Sequence, residues 1–260
     1  MGKLFTISSY LRYLRRAKNE HSLHSPFLFE LYTQVIRPAK KYYVFDRLTE
    51  LKFKLSDDRR QIEVTDFGAG SRTKAKKTRS VRSIAKVSVS PTATSQLLFK
   101  LVERFQPKTM IELGTSLGVN SLYMQAPIST AKLYTFEGCP NIAQVAKDNF
   151  EWFGLSPEII KGNIDETLPA KLSELEKLDF VFFDANHRYE PTLNYFAMCL
   201  EKAHEDSVFV FDDIYWSEEM AKVWEEIKSH AAVTLSLDLF EVGIVFFRKK
   251  QPKQHFVLKF

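Results

Sequence analysis

Residues 110–118 read MIELGTSLG, an apolar strand pattern that runs through Glu112 into two glycines, Gly114 and Gly118. A turn of this kind at a strand end, followed by the usable helix start VNSLYMQA (119–126), is the unit with which a doubly wound sheet cradles a ligand. Its spacing lacks the G-x-G-x-x-G pattern that brings backbone up to a pyrophosphate. A competing glycine turn lies upstream in VTDFGAGS (64–71). The residues after that turn, RTKAKKTRSV, have no apolar stripe with which a helix could dock on a sheet. The ligand loop is therefore assigned to 112–118, and the upstream turn is read as a decoy.

Outward from this loop the chain alternates. SQLLFKLVERF (95–105) is an amphipathic helix pattern ahead of the strand, KLYTFE (132–137) is the next strand, and IAQVAKDNFEWFG (142–154) is a helix closed by glycine. EIIKG (158–162), LDFVFFD (178–184) and SVFVFDD (207–213) supply three further strands, with helices over 190–203 and 217–230 after the last two. VTLSLDL (233–239) and VGIVFFRK (242–249) read as an antiparallel pair at the sheet edge. Continuously apolar strands separated by helices predict an α/β fold with a Rossmann-like, doubly wound, mostly parallel sheet. Residues 5–60 read as mostly helical, with no strand run of any length. The expected organisation is a helical extension over 1–90, the sheet domain over 91–250 and a tail over 251–260.

A chain of 260 residues, 45% hydrophobic and 13% aromatic, can bury a substantial core. No apolar run is long enough to span a bilayer and the N-terminus does not have the order of a secretory signal, so a cytoplasmic chain with no membrane partner is expected. Cys139 and Cys199 are the only cysteines, and no metal spacing joins them. Both are read as reduced packing residues. The formal charge of +5 is local: residues 72–86 hold seven basic residues and no acid, leaving the rest of the chain net acidic. Such a block reads first as a solvated surface segment. Its functional reading is a site for an anionic partner such as RNA, which the lack of interleaved aromatic residues disfavours.

An acid ahead of a wide glycine loop suits a ligand with no phosphate and a positive centre. S-adenosylmethionine (SAM) has that chemistry: a carboxylate near the loop would satisfy its ammonium, and an acid ending the next strand its ribose diol. Glu137 stands in that second place.

The stretches MIELGTSLGVNSLYM, LYTFEGCP, IIKGNIDETLP, LDFVFFDANHRYE and SVFVFDDIYW occur in the order and spacing of class I SAM-dependent methyltransferases. Residues 91–250 resemble the catechol and caffeoyl-CoA type of O-methyltransferase and their uncharacterised relatives; the first 60 residues do not. The resemblance implies that Glu112, Gly114, Thr115 and Gly118 line the methionine end of SAM. Glu137 would hold the ribose, Asn163 would lie beside the adenine, and Asp184 would also reach the cofactor.

Asp184 ends one strand pattern, and Asp212 with Asp213 ends the next, which brings three carboxylates to the carboxyl edge where ligands bind in this architecture. Oxygen donors of this kind suit Mg²⁺ or Ca²⁺. In the enzymes the chain resembles, the matching Asp and an Asp-Asn pair hold Mg²⁺, which implies Asp184, Asp212 and Asp213 as metal ligands. Here the second member of the pair is Asp213, whose extra charge either tightens such a site or caps the following helix instead. His187 replaces a lysine common in the resembling enzymes and is a candidate general base. Asp184, His187 and Asp212 are the expected catalytic residues, with Tyr189, Tyr215 and Trp216 as candidates for an aromatic wall.

The expected function is O-methylation of a small hydroxylated, phenolic-type acceptor. The alternative is a catalytically inactive module of the same fold that binds RNA or another anionic partner through 72–86. The helical N-terminal region, with its Phe and Tyr content, would cover either the active site or the second subunit of a homodimer.

Overall fold

The structure is a computed structural model that describes residues 3–38, 40–65, 77–249 and 251–260. The chain divides into two compact units, Met1–Pro38 with Leu175–Phe260, and Ala39–Glu174.

The first unit opens with helix α1 (Lys3–Arg16) and α2 (Pro26–Leu31), which continues as a π-helical turn over Tyr32–Ile36. Ser25 caps α2, its hydroxyl accepting from the Leu28 amide, and Pro26 fills the first turn, where its missing N–H costs nothing.

The second unit holds α3 (Tyr43–Asp57), the hairpin of β1 (Gln61–Val64) and β2 (Lys77–Ser80), α4 (Val81–Ser88) and α5 (Thr92–Phe105). There follow β3 (Thr109–Leu113), α6 (Val119–Gln125), β4 (Lys132–Glu137), α7 (Pro140–Phe153), β5 (Glu158–Lys161) and α8 (Ile164–Glu174). Strands β3, β4 and β5 pair in parallel, with Ile111 opposite Tyr134 and Phe136 opposite Ile160. The apolar runs of β3 and β4 are buried, as parallel strands require, while Ile159 and Ile160 of β5 are half-buried. Phe45, Leu48, Val81, Ile84, Phe99, Tyr123, Val145 and Phe150 gather α3 to α7 into one core.

The first unit resumes with β6 (Leu178–Phe183), α9 (Tyr189–Leu200), β7 (Ala203–Asp212), α10 (Glu218–Ser229), β8 (Leu235–Asp238), β9 (Val242–Phe246) and β10 (Gln254–Val257). Here β6 and β7 run parallel, β9 lies antiparallel between β7 and β8, and β10 adds to β8 in parallel. The fold class is the expected one, α/β with mostly parallel strands and antiparallel strands beyond them. Among the described residues, no helix is long and apolar enough to cross a membrane.

Three local features depart from the sequence reading, and a fourth agrees with the reading of the upstream glycine turn as a decoy. Helix α8 was not expected, because Pro169 interrupts its pattern; acidic Asp165 and Glu166 favour its first turn. Residues 251–260, expected as a tail, contribute β10. The basic stretch is a structured strand and helix over its described part: Val81, Ile84 and Ala85 form a buried stripe in α4 that its charges obscured. DFGAGS (66–71) itself lies outside the described residues, but the chain returns from it as β2, antiparallel to β1, rather than as the helix a dinucleotide loop needs.

Gly243 in β9 lies against the indole of fully buried Trp224, where an added Cβ would meet Cζ3 at 2.6 Å. Gly243→Ala should therefore cost about 1–3 kcal/mol through overpacking, measurable as a lowered urea midpoint.

Candidate functional site

In the second unit, the loop after β3 turns on Gly114 at φ 104° and Gly118 at φ 78°. The Gly114 and Thr115 amides both donate to the Phe136 carbonyl of β4, at 3.2 and 2.9 Å, which presses the loop against the strand that ends in Glu137. A Cβ on Gly118 would lie 2.4 Å from Phe150 Cε1, so the turn needs glycine for conformation and for space. Thr115 is buried, with its hydroxyl 2.5 Å from that of Thr135.

Glu137 sits at the mouth of this loop. Its Oε2 accepts from the Ser116 amide at 2.9 Å and its Oε1 from the Cys139 amide at 2.8 Å. Burial pushes its carboxyl up to about 7 despite these amides. Glu112 lies deeper: it is fully buried, and its Oε2 accepts from the hydroxyls of Ser121 on α6 and Thr135 on β4. Asn163 caps α8, its Oδ1 accepting from the Asp165 amide at 3.2 Å, while the neighbouring Gly162 amide donates to the Glu137 carbonyl at 3.0 Å. The two positions are thereby joined.

In the first unit, Asp184 follows β6, and Asp212 and Asp213 close β7. Asn186, His187 and Asp213 all have left-handed backbone, with φ of 68°, 32° and 55°. Such conformations in non-glycine residues are strained and concentrate at functional sites. His187 Nε2 stands 3.5 Å from Asp184 Oδ1, while its buried Nδ1 has no hydrogen-bond partner among the described residues. Burial pulls the imidazole pKa down, but the bond and charge of Asp184, with the charge of Asp213, hold it above its ordinary value. Asp212 is pushed well up by burial and by Asp184 and Asp213. Asp213 rises to about 6 through burial, against the lowering effect of His187 and with Asp184 and Glu241 adding to the rise. Phe183 and Phe211, paired across β6 and β7 and stacked at 4.3 Å, form an apolar floor beneath these strand ends.

A family model described as a methyltransferase domain matches residues 111–214. The O-methyltransferase of Bacillus cereus in complex with SAH is similar over 81% of this chain and 93% of its own, at 16% identity and a TM-score of 0.55. The SAH-bound methyltransferase PaMTH1 of Podospora anserina aligns over 82% of this chain and 99% of its own, at 15% identity and a TM-score of 0.56. The O-methyltransferase TomG of Streptomyces achromogenes, involved in tomaymycin synthesis and in complex with SAM, aligns over 62% and 82%, at 17% and 0.52. The chain has the class I methyltransferase fold.

Within this methyltransferase fold, Gly114, Thr115, Gly118, Glu137 and Asn163 come together in one unit, and Asp184, His187, Asp212 and Asp213 in the other. The three carboxylates weighed as Mg²⁺ ligands do not form a donor set: among the described residues no three His, Cys, Asp or Glu side chains are arranged to hold a metal ion. The group beside Asp184 is the imidazole of His187. Asp213 does not cap α10; Ser217 does, accepting from the Met220 amide at 3.1 Å. Nor do the aromatic candidates form a wall. Tyr189 bonds to Glu226 on the surface, Tyr215 donates to Asp238 at 2.6 Å while stacked on Phe240, and Trp216 is exposed. Cys139 and Cys199 are free and buried, as expected.

The sequence reading missed the strap that lies along the glycine loop. Ser88 pairs with Ser116 through their hydroxyls at 2.7 Å. Asn120 Nδ2 donates to Ser90 Oγ at 2.8 Å and its Oδ1 accepts from Ser95 at 2.9 Å, while Lys52 Nζ donates to the Ser90 carbonyl and Ser95 Oγ, each at 3.3 Å. The available signal was Asn120, an amide side chain beside Ser121 in the first turn of α6.

Proposed function

We propose that the chain is a SAM-dependent methyltransferase acting on a hydroxyl of a small acceptor. The observation that carries this reading is Glu137: a half-buried carboxylate fixed by two amides, one of them from the glycine loop, at the end of the strand after that loop. Such a group accepts a ribose diol, while Gly114 to Gly118 gives backbone access to the methionine end. Asn163 borders the adenine. Glu112 acts through Ser121 and Thr135, bracing the loop from behind.

The acceptor oxygen, once ionised, attacks the sulfonium methyl in line; its bond to carbon forms as the carbon–sulfur bond breaks, and SAH leaves. His187 is the base. Asp184 holds Nε2–H, which leaves the Nδ1 lone pair to take the hydroxyl proton. Asp184 and Asp213 stabilise the resulting imidazolium. Among the described residues, the carboxylates do not group as a divalent-ion site.

Isothermal titration of the chain with SAM, SAH and NAD⁺ tests the cofactor. Binding of SAM and SAH without NAD⁺ is expected, and binding of NAD⁺ alone would reject the reading. Transfer of labelled methyl from SAM to catechol, assayed with and without EDTA, then tests the hydroxyl chemistry.

A further inference from the structure

Helix α1 is amphipathic the wrong way round for a core helix. Its inward side carries Ser9 and Tyr13, both buried; the Tyr13 hydroxyl donates to the Leu258 carbonyl at 2.7 Å and accepts from the Phe260 amide at 3.2 Å. Tyr10 and Tyr13 pack on Phe240, with ring centroids at 4.9 and 5.4 Å. The opposite side presents Leu4, Ile7, Leu11 and Leu14 at helical spacing, and they are 83%, 57%, 50% and 47% exposed. A continuous aliphatic stripe facing outward marks an interaction surface.

Charge decides what kind. The helix sequence contains Lys3, Arg12, Arg15 and Arg16 and no acid, and Lys18 follows; the three arginines are exposed. Arg15 stands one turn after Leu11 and borders the stripe. Two copies packed through this face would bring like charges together with no acid on α1 to oppose them. We infer that α1 docks the protein on an anionic bilayer surface, lying in the plane of the headgroups with Leu4, Ile7, Leu11 and Leu14 inserted and the arginines on lipid phosphates. An outward aliphatic face flanked by basic residues is the pattern of interfacial helices. At about 21 Å long, α1 lies on the membrane rather than crossing it.

Flotation of the full chain with phosphatidylcholine vesicles, with and without phosphatidylglycerol, tests this directly. The protein should float with the anionic vesicles, stay behind with the neutral ones, and be released by salt. Ile7→Ser with Leu11→Ser, and separately Arg12→Glu with Arg15→Glu, should each lower anionic-vesicle binding by about tenfold or more. All four positions are exposed, so circular dichroism and SAM binding should be unchanged. Equal binding to both vesicle types overturns the proposal. So does failure to bind either, whether light scattering then shows a dimer that the Ser variants split or the stripe fits an acidic groove on another protein. The readout requires no methyl transfer, so it stands apart from the catalytic reading.

Discussion

Replacing His187 by alanine should lower kcat for methyl transfer by about 10²–10⁴-fold, the range for loss of a positioned base, with SAM affinity unchanged. The expectation rests on the Nε2 contact with Asp184 at 3.5 Å and on the buried Nδ1, which has no hydrogen-bond partner among the described residues. The pH dependence gives a second readout. Neutral imidazole is the competent form, and Asp184 and Asp213 raise the pKa. The rate should therefore climb with pH through an inflection above 6.5, the ordinary histidine value. Asp184→Asn removes part of that support, so the inflection should move down while the plateau also falls. A His187→Ala enzyme with the parent rate and profile would sink the assignment.

The second large effect belongs to Glu137. Glu137→Ala should weaken SAM binding by about 10²–10⁴-fold, since hydrogen bonds to a charged group are worth about 1.5–3 kcal/mol each and two to the ribose are at stake. Burial raises this carboxyl from 4.5 to about 7, so in the free chain it is protonated below neutrality. Its contribution to folding stability is then fully present below pH 4.5 and is lost as pH rises to about 7. Binding runs the other way. The ionised carboxylate is the better ribose acceptor, so SAM affinity should rise with pH through about 7 and level off above it. Titration calorimetry across that range checks the sign, and a flat profile in the parent protein would remove Glu137 from the ribose site.

Much of this was readable from the residues because parallel strands advertise themselves. LDFVFFD and SVFVFDD are apolar on both faces, and a run of that kind can only be an interior strand, so β6, β7 and the acids that end them could be placed. The glycine loop was legible for a related reason: Gly114 and Gly118 mark positive φ, and Glu137 comes at the end of the next strand. The features that stayed hidden depend on partners far away in sequence. Glu112 looked like a ligand to an ammonium, yet it is held by Ser121 and Thr135, hydroxyls from two other elements. Helix α4 was masked by its own charges, α8 by Pro169, and the strap over the loop by the plainness of Ser88 and Ser90. Tyr215 looked like a lining residue because nothing local shows that Asp238 will accept its hydroxyl.

The fastening of Tyr13 to the Leu258 carbonyl spans 245 positions, and Lys18 pairs with Leu258 beside it. Closing so wide a loop is slow and comes late. Ala39–Glu174 forms a compact unit from one continuous stretch, whereas Tyr10 and Tyr13 have no seat until Phe240 and Leu258 have been made. During that interval both sides of α1 are greasy. Removing the aromatic ring of Phe240 would leave Tyr10 and Tyr13 without the surface they pack on, and so loosen α1 from the residues made last.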